Sequence, residues 1–230
     1  MKNNPLFFIS DRMQGEILRA LSDTLQMTLI SGVFIIIIGL VLGFLLFYTD
    51  VQLEKNPQKA FIHKALSIVI DIFRSVPFLV LLVVLIPFTR WLVGTMLGVS
   101  GAVPSLVISA SPFFARLVYM ALREIPKGNI EALDSLGCSR LRKTLYLTKE
   151  ASSALVSAIT VTLVTLIGFS TVTGAIGAGG LGYLAQREML ASFGDFQRRI
   201  VAYVCVAIII IIVLIVQFTG DFISKKIDKR

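Results

Sequence analysis

One histidine, one tryptophan and two cysteines are all that 230 residues contain of these types, and only 16% of the chain is charged. The lone His63, placed in a polar connection, has no partner set for a metal site or a nucleophile–base pair, and no special role is expected of it. Cys138 and Cys205 are far apart, one in a polar segment and one in an apolar run, without a CxxC spacing; a disulfide framework and a cysteine metal centre are both excluded. The fourteen acidic residues do not cluster, so no close carboxylate pair for acid–base chemistry is present. The charged fraction falls below the roughly 25% of ordinary soluble domains, and 56% of the chain is hydrophobic. A polytopic, all-α membrane protein follows.

The net charge of +8 does not point to nucleic acid, because the basic residues form no stripe with interleaved aromatics and match no recognition module. They sit in the gaps between apolar runs. In a bilayer protein that distribution reports topology.

A helix needs about 20 apolar residues to cross the hydrocarbon core. Five stretches qualify, 25–47, 65–89, 103–122, 153–175 and 201–219, within a single membrane domain spanning 1–230. The segment before the first, with Ile17, Leu18, Leu21 and Leu25 in helical period, reads as an uncleaved lead-in helix lying partly in the membrane interface. In the first span Gly39 and Gly43 form a G-x-x-x-G face suited to close helix approach, and lipid-facing glycines without a packing role fit the pattern as well.

Five spans put the two termini on opposite sides. One side collects thirteen Lys and Arg, in 48–64 (Lys55, Lys59, Lys64), 123–152 (Arg123, Lys127, Arg140, Arg142, Lys143, Lys149) and the tail (Lys225, Lys226, Lys229, Arg230). The other has seven: Lys2, Arg12, Arg19, Arg90, Arg187, Arg198 and Arg199. Positive-inside orientation therefore expects the 123–152 loop and the C-terminus in the cytoplasm and the N-terminus outside.

"TGAIGAGGLG" (173–182) carries Gly177, Gly179 and Gly182 in the G-x-G-x-x-G spacing of a dinucleotide loop. That reading needs a short strand before it and a βαβ unit around it. Instead the preceding apolar run, "SALVSAITVTLVTLIGFSTVTG", has the length of a membrane span, and no Lys-Ser or Lys-Thr follows to cradle phosphate. Gly177, Gly179, Gly180 and Gly182 are expected to make a tight turn at the outer end of the fourth span, with packing between two copies of the helix end as the alternative.

The segment "REIPKGNIEALDSLGCSRLRKTLYLTKEA" (123–151) is too polar to insert and too periodic for a plain linker. Asn129 is a fair N-cap, Glu131 and Asp134 fall in the first turns, and Arg140, Arg142 and Lys143 gather toward the end. Ile130, Leu133, Gly137, Leu141 and Leu145 recur every three or four residues, which predicts one helix with an apolar face and a small gap at Gly137. Two readings stand level: a helix resting on lipid headgroups, and a docking helix for a cytoplasmic protein.

Inside the spans, Asp71 and Arg74 are three apart and can pair on one helix face. Ionisable groups at membrane depth are costly, about 2.5–3.5 kcal/mol each. A structural pair near the cytoplasmic mouth is favoured over a substrate ligand, with Arg116 also able to reach the interface. Pro77 predicts a kink.

At "IEALDSLG" the sequence resembles the EAA loop of permease subunits of bacterial ABC importers. "DIFRSVPFLVLLVVLIPFTRWLVGT" (71–95), "SPFFARLVYMALREIP" (111–126), "TLVTLIGFSTVTGAIGAGGLG" (162–182) and "VQFTGDFISKK" (216–226) are similar to the methionine-importer permeases of that family, in order along nearly the whole chain. The resemblance implies a five-span inner-membrane subunit that is not itself an enzyme, moves methionine, D-methionine or close analogues, and forms a homodimer. It also implies two copies of a cytoplasmic ATPase carrying ATP and Mg, and an external substrate-binding lipoprotein. No cofactor or metal is expected on this chain. Glu131, Ala132, Leu136, Gly137 and Arg140 would then belong to the ATPase-coupling segment. Two departures stand out: the third residue of E-A-A is Leu133, and "LTKEA" (147–151) lacks the usual Leu-Pro. The alternatives are a permease for another small amino acid or organic ion, and a stand-alone secondary transporter, for which no internal repeat is visible. A membrane enzyme is the weakest reading.

Overall fold

The computed structural model describes residues 11–50, 57–193 and 195–228. Lys2, Lys55, Lys229 and Arg230 of the charge count lie outside them. Among the described residues all regular structure is helical. The order is α1 (Asp11–Asp50), α2 (Pro57–Ser75), α3 (Phe78–Val84), α4 (Ile86–Val93), α5 (Gly98–Arg123), α6 (Lys127–Ser135), α7 (Arg140–Glu150), α8 (Ser152–Thr173), a π-helical turn (Gly174–Ala178), α9 (Gly180–Leu190) and α10 (Phe196–Ile227).

Among the described residues four helices, α1, α5, α8 and α10, are long and apolar enough to cross a membrane, and Ala60–Ser75 with Phe78–Val84 passes the same test as a broken pair. The second expected span, 65–89, is therefore not one helix. Pro77 has no N–H to continue the ladder and sits at φ −55°, ψ 134° as the N-cap of α3. The kink expected at Pro77 is a full break. Arg90 lies in the last turn of α4 rather than in a loop, and the helix expected before the first span is the continuous start of α1.

The chain packs as two compact units. Of the described residues, the first comprises 11–33, 77–108, 163–193 and 195–215. Its core joins Ile17 and Ala20 of α1 to Leu181 and Leu184 of α9 and to Val201 and Cys205 of α10, with Leu21 and Ile208 packed against them. The apolar period of the first residues thus faces protein on one side while Leu18 stays exposed. Phe78 of α3 stacks on Phe169 of α8, with ring centroids 4.0 Å apart. Glu188 of α9 is buried and pairs with Arg187 and Arg198, and Arg187 also holds Glu16 of α1.

The second unit comprises, of the described residues, 34–50, 57–76, 109–162 and 216–228. Here the G-x-x-x-G face of α1 meets α5. A Cβ added at Gly39 would stand 2.5 Å from Phe114 Cδ1, and one at Gly43 would stand 2.6 Å from Val118 Cβ. These glycines pack against protein, because only their missing side chains let the two backbones come this close. Gly220 of α10 does the same against Thr160 of α8, beside a hydroxyl cluster in which Ser153 and Ser157 lie 3.0 and 2.9 Å from Ser224 Oγ.

Candidate functional site

The segment between α5 and α8 begins where Pro126, at φ −56°, ψ 135°, caps α6. Asn129, expected as the cap, is inside that helix. Nor is there one helix over the segment. The Gly137 N–H donates to Asp134 O at 3.0 Å and the Cys138 N–H to Leu133 O at 3.1 Å, with Gly137 at φ +64°. That pair of bonds around a left-handed glycine is the Schellman termination of α6. Two residues later Ser139 starts α7, its hydroxyl accepting from the Arg142 N–H at 3.5 Å. Gly137 is therefore a helix stop. A Cβ placed there meets nothing within 4 Å, so its conformation, rather than crowding inside this chain, demands glycine.

Lys143 of α7 pairs with Asp134 of α6 across the turn that joins the two short helices. Glu131, Ala132, Leu136 and Arg140 are all exposed. Leu136, Leu141 and Leu145 are 76%, 71% and 63% exposed, on a segment otherwise rich in charge. Leu141 and Leu145, four residues apart, share one face of α7. The opposite side of α7 is attached: Leu147 is buried and the Thr144 hydroxyl lies 2.7 Å from the Tyr48 hydroxyl of α1.

The other expected residues fall in two places. Asp71 and Arg74 pair at 3.4 Å near the end of α2, just before the break. Ser67 Oγ donates to Asp71 at 3.4 Å and accepts from Arg116 of α5 at 3.4 Å, so one serine joins Arg116 to the pair. Arg116 also lies over the Tyr119 ring, 5.1 Å from its centroid. His63, expected in a loop without a role, is on α2 and contacts Thr49, Leu46 O and Asp50. No local pattern carried that signal, since its partners come from another helix.

The glycine-rich stretch makes the reversal from α8 to α9. Gly177, Gly179 and Gly180 have φ of +102°, +82° and +88°, conformations that L side chains rarely adopt. Gly182 is different: it is a helical residue whose added Cβ would stand 2.5 Å from Thr171 Cα, so it serves close packing of α9 on α8 rather than the turn. The turn is tied to α1 by Leu181 N–H donating to Thr24 Oγ1 at 2.9 Å. Ile176 and Ala178 help close a cavity of about 10 Å³ that Thr89, Ser105 and Thr173 also line, room for one water.

Against known proteins, residues 53–230 match the family model described as binding-protein-dependent transport system inner membrane component. The chain is 42% identical over 210 residues to a probable D-methionine transport system permease protein MetI of Pasteurella multocida, covering 90% of this chain and 94% of that one. It is 46% identical over 175 residues to the methionine import system permease protein MetP of Bacillus subtilis, covering 75% and 77%. Among solved structures, a chain of the MetNI methionine ABC transporter in an inward-facing conformation superposes with a TM-score of 0.88 at 38% identity, over 96% of this chain and all of that one. The stand-alone secondary transporter and the membrane enzyme are set aside by these matches. This chain belongs to the binding-protein-dependent transport system inner membrane components, among the MetI/MetP permeases, and is a membrane-spanning permease rather than an ATPase.

Proposed function

We propose that this chain is the permease subunit of an ATP-driven importer that moves methionine, including D-methionine, across the inner membrane, and that α6 and α7 are the surface on which its ATPase docks. The substrate follows the relatives that match nearly the whole chain. The docking reading rests on one observation: Leu136, Leu141 and Leu145 lie exposed on α7 and the turn before it, while Thr144 and buried Leu147 hold α7 to the protein. Glu131, Ala132, Gly137 and Arg140 are the coupling residues of this surface, with Gly137 shaping it by ending α6. A headgroup-bound helix would need one continuous apolar stripe along its length; the Schellman stop divides this one.

In the working complex two copies of the permease meet two ATPases that hold ATP and Mg, and an external binding lipoprotein delivers the substrate. The N-terminus lies outside and the C-terminus in the cytoplasm. ATP binding favours one arrangement of the ATPases over another, and α6 and α7 carry that preference into the spans. A ligand shifts a conformational equilibrium only by its differential affinity for the two states, so the permease must contact the ATPase differently in each. The Asp71–Arg74 pair and Arg116 act as a structural cluster in this reading. The test is uptake of labelled methionine by vesicles holding the chain with its ATPase and binding protein. ATP-dependent uptake that disappears when Glu131 and Gly137 are replaced supports both substrate and surface; an ATP-driven complex that ignores methionine overturns the substrate.

A further inference from the structure

The last three residues of α1 each hold a different helix. The Tyr48 hydroxyl lies 2.7 Å from the Thr144 hydroxyl of α7. The Thr49 hydroxyl lies 3.1 Å from Nδ1 of His63 on α2, which also faces Leu46 O at 3.2 Å. Asp50 accepts from the Tyr119 hydroxyl of α5 at 2.8 Å and pairs with Arg123 Nε at 3.6 Å. Arg123 in turn donates to the Tyr119 hydroxyl at 3.3 Å, and the Arg116 and Arg123 guanidiniums both lie over the Tyr119 ring, 5.1 and 5.6 Å from its centroid.

We infer that the C-terminal turn of α1 is the junction that passes motion of α7 to α2 and α5, with Tyr48 and Asp50 as positioning residues for coupling. The inference rests on the reading of α6 and α7 as the ATPase surface. Its physical basis is the placement of directional bonds at consecutive residues. Successive residues of a helix point about 100° apart, because 3.6 residues make a turn, so Tyr48, Thr49 and Asp50 reach three sides of α1 from one level. A rigid helix end held on three sides cannot follow α7 without displacing α2 and α5. The α7 side of the junction is a single hydroxyl pair, and Thr144 also donates to Arg140 O at 3.0 Å. In that arrangement Tyr48 donates and Thr144 accepts. Removing the Tyr48 hydroxyl leaves α7 docked through buried Leu147 but without a directional tie.

The experiment uses the reconstituted complex of permease, ATPase and binding protein, and measures substrate taken up per ATP hydrolysed. Tyr48→Phe keeps the ring and its packing. It is expected to assemble and hydrolyse ATP as the unsubstituted complex does while uptake per ATP falls about two- to tenfold, the scale set by one hydrogen bond. Thr144→Val is expected to match it, the double variant to be no worse than either, and Thr144→Ser, which retains the hydroxyl, to keep the original ratio. Asp50→Asn provides an independent arm through Tyr119 and Arg123. An unchanged ratio in assembled Tyr48→Phe and Thr144→Val complexes overturns the junction while leaving the docking surface standing. An unsubstituted permease with which the ATPase does not associate overturns the docking reading and the junction together.

Discussion

The backbone N–H of Leu181 and the hydroxyl of Thr24 meet at 2.9 Å across 157 residues of sequence. The first N–H groups of any helix lack partners within it, and Gly179, at the N-cap of α9, has no side chain to supply one. A threonine of α1 does so instead, while donating to its own Ala20 O at 3.0 Å. Both residues are buried, at 0% and 2% exposure. Thr24→Val should leave the Leu181 N–H without a partner and destabilise the protein by about 1–3 kcal/mol. Thermal unfolding in detergent should show a lowered midpoint for Thr24→Val and a near-normal one for Thr24→Ser.

Two glycines of the same region should respond in opposite ways to alanine. Gly180 has φ +88°, and an added Cβ would stand 2.8 Å from Thr24 Oγ1, so Gly180→Ala meets backbone strain and crowding together and should cost about 1–3 kcal/mol. Gly168 is an ordinary helical residue of α8 with nothing within 4 Å of an added Cβ. Gly168→Ala should be neutral or stabilise by about 0.5–1 kcal/mol. Comparing the two midpoints separates conformational glycines from incidental ones.

Close packing of α1 on α5 gives a third test. At Gly43 an added Cβ would stand 2.6 Å from Val118 Cβ and 2.9 Å from Ala115 O. Gly43→Ala should therefore destabilise by about 1–3 kcal/mol through overpacking. Val118→Ala should recover part of that loss when combined with it, because it removes the nearest side-chain contacts but leaves the Ala115 carbonyl. Gly15→Ala, with open space around it, serves as the insensitive control.

Gly137 distinguishes conformation from bulk. Its φ of +64° is a left-handed value that asparagine tolerates better than other side chains. Gly137→Asn should keep the α6 stop and retain ATPase co-purification. Gly137→Ala should cost about 1–2 kcal/mol of local strain and weaken co-purification. Equal loss with both would show that the surface rejects any side chain at this point, so that direct contact with the ATPase, and not the turn alone, requires glycine.

Much of the fold was legible because lipid imposes a length rule that local composition satisfies or does not. The apolar runs of α1, α5, α8 and α10 announced helices long enough to span, and Pro77 announced an interruption. The apolar spacing of Ile130, Leu133, Gly137, Leu141 and Leu145 predicts one helix because it continues through the break between α6 and α7. Gly137 followed two residues later by Ser139 is the end of one helix and the start of another, a local signal that the periodicity outweighed.

By itself the sequence determined the membrane class, the helical content and the glycine turn at the end of α8, since each depends on neighbours within a few turns. Only the tertiary structure decided what Gly39 and Gly43 pack against, that Gly182 serves packing, that Thr24 caps α9, and that His63 and Tyr119 converge on the end of α1. Those outcomes depend on which helix faces which, and side chains dozens of residues apart carry no mark of their partners until the backbones are brought together.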